Sequence, residues 1–217
     1  MLRSPAHPRQ DSRLVTILDG QSVLAIVRFR APCDLAAVFG AIRRGGIGLV
    51  EVTADTPGAL EAVRASAIAG TPVGAGTIRS IGQAHTFAEA GAAFLVSPGV
   101  SVDVVRVSVE RRIPAVPGAL TPTEISTAMD AGATAVKLFP ARLGGPDYLR
   151  ALRGPFADVA FVPTGGIEIE QVRSWLDAGA TAIGLGSALV GSDPPRGAGD
   201  IQALTDRAGR AAELARG

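Results

Sequence analysis

The sequence predicts a single-domain α/β protein, a (β/α)8 TIM barrel with an N-terminal helix. Eight short apolar runs recur along the 217 residues, and their ends lie 19 to 25 residues apart, about the length of one strand–helix unit. Between the runs lie segments whose apolar residues have helical spacing. An open doubly wound sheet is the alternative, but it usually has fewer strands, and no Gly-x-Gly-x-x-Gly follows the first run.

The predicted elements follow one another in a regular order. Residues 1–8 are expected to form a flexible leader, followed by a short amphipathic helix that is predicted to continue to Leu18, where Gly20 stops it. Residues 9–217 form the barrel domain. The first and sixth apolar runs are almost continuously apolar, as expected for strands covered on both faces. The eight predicted strands are residues 23–29, 49–53, 73–77, 94–98, 113–117, 133–139, 160–164 and 182–186.

Amphipathic segments between these strands predict the helices. The phrase Ala-Gly-Ala closes three of them, at 90–92, 131–133 and 178–180, where glycine can supply a left-handed cap. A last helix is predicted from about Asp200 to Leu214. The apolar faces consist of Leu35, Val38, Phe39 and Ile42; Val102, Val105 and Val109; Ile125 and Met129; and Val172, Trp175 and Leu176.

Composition and charge exclude several classes of function. With 47% hydrophobic and 19% charged residues the chain can bury a large core, and its net charge of +1 gives no electrostatic reason to expect nucleic acid. Cys33 is the only cysteine, and His7 and His85 lie far apart, so we expect neither disulfides nor a metal site. We recognise no signal peptide and no membrane-spanning run, which predicts a cytoplasmic protein without membrane partners.

Lys137 is the first candidate catalytic residue. It is the only lysine among 21 basic residues, and it lies within the apolar run 133–139. Arginine stays protonated in proteins, whereas a desolvated lysine can lose its proton and add to a carbonyl carbon to form a Schiff base. The alternative is a structural lysine that extends from a strand end or pairs with a buried carboxylate.

Glu51 is the second candidate, because it lies among apolar residues in a predicted strand that is buried on both sides. A buried carboxylate needs a partner or a proton, and opposite a lysine in a narrow barrel it can transfer protons. The alternative is a buried ion pair between Glu51 and Lys137 without a catalytic role. A buried pair contributes little stability, which favours the catalytic interpretation.

The remaining candidates also lie at strand ends, where barrel enzymes place their active sites. Arg28 is the predicted carboxylate ligand, because a guanidinium group can bind a carboxylate through two hydrogen bonds. Small residues let backbone N–H groups approach an anion, and the last two strands are the usual phosphate site of barrels. The predicted hydroxyl donors are Thr53, Thr77 and Ser187, and the predicted phosphate-binding residues are Thr164, Gly165, Gly166, Gly186 and Ser187.

Several of these stretches together resemble the 2-keto-3-deoxy-6-phosphogluconate (KDPG) and 4-hydroxy-2-oxoglutarate (KHG) aldolases. The resemblance runs in order from about Val23 to Val190. It rests on Leu49-Val50-Glu51-Val52-Thr53, Val73-Gly74-Ala75-Gly76-Thr77, Val96-Ser97-Pro98-Gly99, Pro117-Gly118, Lys137-Leu138-Phe139-Pro140, Val162-Pro163-Thr164-Gly165-Gly166 and Gly186-Ser187.

The resemblance implies a class I aldolase that cleaves KDPG to pyruvate and glyceraldehyde 3-phosphate. It also implies a homotrimer that needs no metal or other cofactor. By this resemblance Lys137 forms the Schiff base and Glu51 is the general acid and base. Arg28 and Thr77 hold the pyruvyl carboxylate, Pro98 and Phe139 line the pocket, and Gly165, Gly166 and Ser187 bind the phosphate.

Two residues depart from the pattern of the family. Asp55 stands where many members carry an arginine, which leaves Arg28 alone to bind an anion there, and Arg142 stands where an acidic residue is common. The preferred substrate therefore stays open between KDPG, its galactonate epimer and the non-phosphorylated KHG. The sequence is also compatible with a phosphate-binding barrel without covalent chemistry and with a non-catalytic phosphosugar-binding protein.

Overall fold

Seven parallel strands form one curled sheet in the part of the chain that the computed structural model describes, residues 20–71 and 73–217. The order across the sheet is β6-β5-β4-β3-β2-β1-β7, so strands that follow one another in the chain are neighbours as far as β6. The leader and the predicted helix up to Leu18 lie outside these residues. The strands are β1 (Val23–Val27), β2 (Leu49–Thr53), β3 (Gly74–Gly76), β4 (Leu95–Ser97), β5 (Ala115–Ala119), β6 (Lys137–Leu138) and β7 (Ile183–Leu185).

Helices alternate with the strands, as the spacing of apolar residues predicts. The predicted face of Leu35, Val38, Phe39 and Ile42 is buried, and the last helix begins near the predicted residue. The α-helices are α1 (Leu35–Arg44), α2 (Ala59–Ile68), α3 (Ile81–Glu89), α4 (Val102–Arg111), α5 (Pro122–Asp130), α6 (Gly145–Arg153), α7 (Val172–Asp177), α8 (Ser187–Val190) and α9 (Ala198–Arg216). Two 3-10 helices cover Ala141–Leu143 and Ile169–Gln171.

The predicted strand at residues 160–164 is not a regular strand, although it lies between β6 and β7. It forms only isolated parallel bridges, Val136 with Phe161 and Thr164 with Gly184. The N–H groups of Val162 and Thr164 donate to the carbonyl oxygens of Val136 at 2.8 Å and Leu138 at 3.0 Å, on the side of β6. Because successive N–H groups of a strand point in opposite directions, the N–H group of residue 163 would have to donate toward β7. Position 163 is a proline, which has no N–H group, and the hydrogen-bond ladder is therefore interrupted.

Two separate apolar clusters stabilise the sheet. The larger one joins one face of the strands to the helices around it. The smaller one lies on the concave face and consists of strand and loop residues without any from a helix: Leu24, Ile26, Leu49, Phe94, Val96, Val116, Ala135, Val162 and Ala182. The strand residues occupy alternate positions because successive side chains point to opposite faces. The Phe94 ring fits there because Gly74 has no side chain: a Cβ at Gly74 would lie 2.1 Å from that ring.

A capping box fixes the start of α5 and offers a test of local stability. The Thr121 hydroxyl accepts the Glu124 N–H at 3.4 Å, and the Glu124 carboxylate accepts the Thr121 N–H at 2.8 Å. We expect Thr121→Ala to lower the free energy of unfolding by about 1 kcal/mol, because the N–H group of Glu124 loses its partner. Chemical denaturation measures this, and Thr123→Ala in the same turn is the control, with little expected loss. Equal losses in the two variants would contradict the role of the cap.

Candidate functional site

The concave face ends in a group of polar side chains at the carboxyl ends of the strands. Glu51 follows Leu49 at an alternate position of β2, and Lys137 follows Ala135 in the same way, so both share the face of the inner apolar cluster. Glu51 has no exposed surface, and Lys137 is 8% exposed. Within the described part of the chain these two are the only buried charged side chains.

Glu51 occupies a space that a neighbouring glycine leaves free. Gly76 lies on β3 in register with Thr53, and a Cβ at Gly76 would lie 1.7 Å from Oε1 of Glu51. Neither carboxyl oxygen has a hydrogen-bond partner among the described residues. Burial raises the pKa of Glu51, and the positive charges of Lys137 and Arg28 offset part of this increase. The carboxyl group is therefore suited to hold and release a proton and is free to bond a ligand.

Lys137 lies in a site shaped by glycine and phenylalanine. Its neighbour in register on β5 is Gly118, where a Cβ would lie 2.3 Å from the carbonyl oxygen of Pro98. Nζ of Lys137 is 5.2 Å from the centre of the Phe139 ring, within the range of a cation–π contact. Gly165 lies beside the same ring, because a Cβ at Gly165 would be 2.9 Å from it.

Arg28 lies at the end of β1 with two partners. Its guanidinium group donates a hydrogen bond to Oγ1 of Thr77, and Nε is 3.8 Å from a carboxylate oxygen of Asp55. Thr77 has φ of 58°, a value that few non-glycine residues adopt and that is often found at functional sites. Asp55, which stands where many members carry an arginine, thus faces Arg28, and the role of Arg28 as the ligand for an anion stays a prediction.

Thr53 differs from the other predicted hydroxyl donors in its surroundings. It is fully buried, and its hydroxyl lies 3.0 Å from that of Thr56. Thr56 in turn accepts the N–H of Phe29 at 3.3 Å, which joins the loop after β2 to the end of β1. The sequence reasoning missed Thr56 and Gly76. Gly76 is in register with Thr53 and not with Glu51, so aligning the predicted second and third strands would not have identified it.

The glycine-rich ends of the last two predicted strands lie side by side. Thr164 and Gly184 form a bridge, and a Cβ at Gly184 would lie 2.2 Å from the Thr164 hydroxyl. Gly165 and Gly166 both have positive φ, 98° and 72°, which glycine adopts without strain. Gly186 and Ser187 follow β7, and Ser187 is exposed. Pro98 is also exposed at the end of β4.

Two kinds of feature are absent from the described residues. No group of three or more histidine, cysteine, aspartate or glutamate side chains is placed to hold a metal ion. None of the described helices combines the length and apolar character that crossing a membrane requires.

Comparison with known proteins confirms the resemblance seen in the sequence. The family model for KDPG and KHG aldolases matches residues 14–205. The KHG/KDPG aldolase of Escherichia coli K12 is 38% identical over 179 residues, which cover 81% of this chain and 84% of the relative. The 2-dehydro-3-deoxy-6-phosphogalactonate aldolase of the same organism is 34% identical over 171 residues, which cover 77% of this chain and 83% of that enzyme.

Solved structures of such aldolases have the same fold. The KDPG aldolase of Zymomonas mobilis ZM4 with 3-phosphoglycerate has a TM-score of 0.82 and 29% identity, covering 95% of this chain and 97% of that one. The KDPG aldolase from Legionella pneumophila, with pyruvate captured as a covalent carbinolamine intermediate, has a TM-score of 0.78 and 30% identity. That match covers 88% of this chain and 95% of the Legionella chain.

The pH dependence of stability tests the state of Glu51. A carboxyl group whose pKa is raised in the folded state is protonated more readily there, so the unfolded state ionises first as the pH rises. The free energy of unfolding of the wild type should therefore fall, relative to that of Glu51→Gln, as the pH rises from acidic to neutral. Chemical denaturation at several pH values measures this difference.

Glu61→Gln, at an exposed position of α2, is the control for this experiment. The free energy of unfolding of the wild type relative to Glu61→Gln should stay nearly constant over the same pH range, because both proteins contain Glu51. A difference between wild type and Glu51→Gln that stays constant across the range would contradict the raised pKa.

Proposed function

The chain belongs to the KDPG and KHG aldolase family, whose members are carbon–carbon lyases, and we propose that it cleaves KDPG to pyruvate and glyceraldehyde 3-phosphate. The observation that carries this proposal is the burial of the only lysine and of an unpaired glutamate on one face of the sheet. A buried amine and a proton-transferring carboxyl group are the two components that class I aldolase chemistry needs.

Lys137 is the proposed nucleophile. Its amine, in the unprotonated form, adds to the C2 ketone of the substrate to give a carbinolamine. Protonation of the carbinolamine hydroxyl group, followed by loss of water, then gives a protonated imine. The imine draws the electron pair of the C3–C4 bond when this bond breaks, so the pyruvyl part becomes an enamine and the rest leaves as an aldehyde. Protonation of the enamine carbon and hydrolysis of the imine then release pyruvate and restore the amine.

Glu51 is the proposed proton carrier. Its unpaired oxygens can accept the proton of the C4 hydroxyl, directly or through water, as the C3–C4 bond breaks. Burial raises the pKa of this carboxyl group, which makes proton acceptance more favourable at neutral pH. Gly76 supports this role because its missing side chain leaves the space that the carboxyl group occupies.

The two ends of the substrate are assigned to two different groups of residues. We propose that Arg28 and Thr77 bind the pyruvyl carboxylate, while Pro98 and Phe139 line the pocket. Thr53 contributes by holding Thr56 and the loop after β2 in place. The phosphate is proposed to bind at Thr164, Gly165, Gly166, Gly186 and Ser187, where glycines let backbone N–H groups approach an anion.

The proposal needs no cofactor, because the covalent imine at Lys137 supplies the electron sink. The carbinolamine in the Legionella pneumophila enzyme is consistent with this chemistry. The 2-keto-3-deoxy-6-phosphogalactonate and KHG cleavage activities are the alternatives, since relatives of this chain carry those names. Cleavage rates measured with both epimers and with KHG distinguish these substrates.

Three finer expectations belong to the same proposal. We propose that residues 160–164 close the curled sheet into an eight-stranded (β/α)8 barrel, supported by their hydrogen bonds to β6 and to the segment that enters β7. A single barrel domain over 9–217 and a cytoplasmic homotrimer stay predictions. Sedimentation analysis of the purified protein measures the number of subunits.

Borohydride reduction in the presence of pyruvate tests the covalent step. We expect a single reduced pyruvate adduct on the peptide that contains Lys137, and peptide mass analysis locates it clearly because the chain has one lysine. Lys137→Met should give neither adduct nor cleavage. Glu51→Gln should still form the adduct but lower kcat by about 10² to 10⁴, the usual contribution of a general acid or base. Folded wild type without an adduct would exclude the mechanism and favour a non-covalent barrel.

Asp55→Asn tests how the ion pair with Arg28 affects the carboxylate site. Asp55 lies close to the proposed position of the substrate carboxylate and repels it. We therefore expect KM for pyruvate in the condensation direction to fall by about two- to fivefold, in keeping with the small energies of exposed ion pairs. Asp103→Asn, which breaks the exposed pair with Arg106, is the control and should leave KM unchanged. A higher KM in Asp55→Asn would show that Asp55 instead positions Arg28.

A further inference from the structure

Arg142 lies beside the glycine turn that follows predicted strand 160–164. It belongs to the 3-10 helix Ala141–Leu143, shortly after Lys137 and Phe139 in the chain. Its N–H group donates to the carbonyl oxygen of Gly165 at 3.1 Å, and the N–H group of Ala141 donates to that of Thr164 at 2.8 Å. These two hydrogen bonds fix the backbone that carries Arg142 to the backbone of the proposed phosphate site.

The side chain of Arg142 runs along Gly166. Its Cβ, Cγ and Cδ lie 2.9, 3.1 and 2.6 Å from the position that a Cβ on Gly166 would occupy. Gly166 has no side chain and φ of 72°, so the stem of Arg142 can lie close to the backbone there. Nε of the guanidinium group is bonded directly to Cδ, so the guanidinium group also lies close to Gly166. Its donors are therefore within reach of an anion at the turn.

The charge of Arg142 is not neutralised by another side chain of the described residues. It takes part in none of the ion pairs found there, whereas Arg111, Arg150, Arg173 and Arg210 are each paired with a carboxylate. It is also exposed to solvent, so a ligand can approach it. A guanidinium group with free donors can bind a phosphate group through two parallel hydrogen bonds.

We propose that Arg142 is a further ligand for the phosphate group and sets the preference of this chain for phosphorylated over non-phosphorylated substrates. The proposal rests on the proposed function, because it assigns the distal end of the same substrate. The Phe139 ring lies near both the Lys137 amine and Gly165, so a single extended substrate can reach both the amine and the turn. The charge of Arg142 complements a phosphate monoester, which is close to dianionic at neutral pH.

Substrate comparison with Arg142→Gln tests this preference. We expect kcat/KM for KDPG to fall about tenfold or more, the range for a lost hydrogen bond to a charged group, with 2-keto-3-deoxygluconate changed less than about twofold. Arg142→Lys should recover part of the loss, because it keeps the charge but not the two parallel donors. Arg64→Gln on α2 makes the same change of charge at an exposed position and should change neither value. Equal losses with both substrates would overturn the proposal.

Two measurements separate this proposal from the proposed function. The borohydride adduct with pyruvate should be the same in Arg142→Gln as in the wild type, since pyruvate carries no phosphate. Calorimetric titration with 3-phosphoglycerate should show affinity reduced about tenfold in Arg142→Gln, with glycerate unaffected. Absence of the adduct in the wild type would refute the aldolase mechanism but not the role of Arg142 in binding phosphate. Equal affinity of wild type and Arg142→Gln for 3-phosphoglycerate would refute the role of Arg142 alone.

Discussion

The burial of the Glu51 carboxyl group without a hydrogen-bond partner is the constraint on which the site depends. An unpaired buried polar group is costly, so the surrounding fold must hold it in place. Lys137 and Arg28 supply positive charge nearby, and Gly76 leaves the space that the carboxyl group fills. This unfavourable arrangement is understandable when the partner of the carboxyl group is a substrate or a water molecule that takes part in the reaction.

Glycines serve a common purpose on the concave face. Gly74 makes room for the Phe94 ring, Gly118 for the Pro98 carbonyl group and Gly184 for Thr164. Each missing side chain lets a neighbour approach to a distance that a Cβ would prevent. The small residues at the strand ends therefore shape the pocket, while the helices and the larger apolar cluster hold the sheet that carries it.

The charged residues at the edge of the site separate its two proposed ends. Asp55 lies beside Arg28 at the end assigned to the pyruvyl carboxylate, and its negative charge weakens the attraction for anions there. Arg142 adds positive charge beside the glycine turn, which is assigned to the phosphate group. The two residues that depart from the pattern of the family thus lie beside the residues proposed to bind the two anionic groups of the substrate.

The sequence by itself determined the alternation of strands and helices, the family and the candidates Lys137 and Glu51. Periodicity and the placement of a lone lysine in an apolar run are local properties, which a linear sequence displays directly. Only the tertiary structure decided that Pro163 interrupts the hydrogen-bond ladder toward β7, that Asp55 faces Arg28 and that the Arg142 stem lies along Gly166. These depend on which strand ends meet in space, and the chain separates such neighbours by whole strand–helix units.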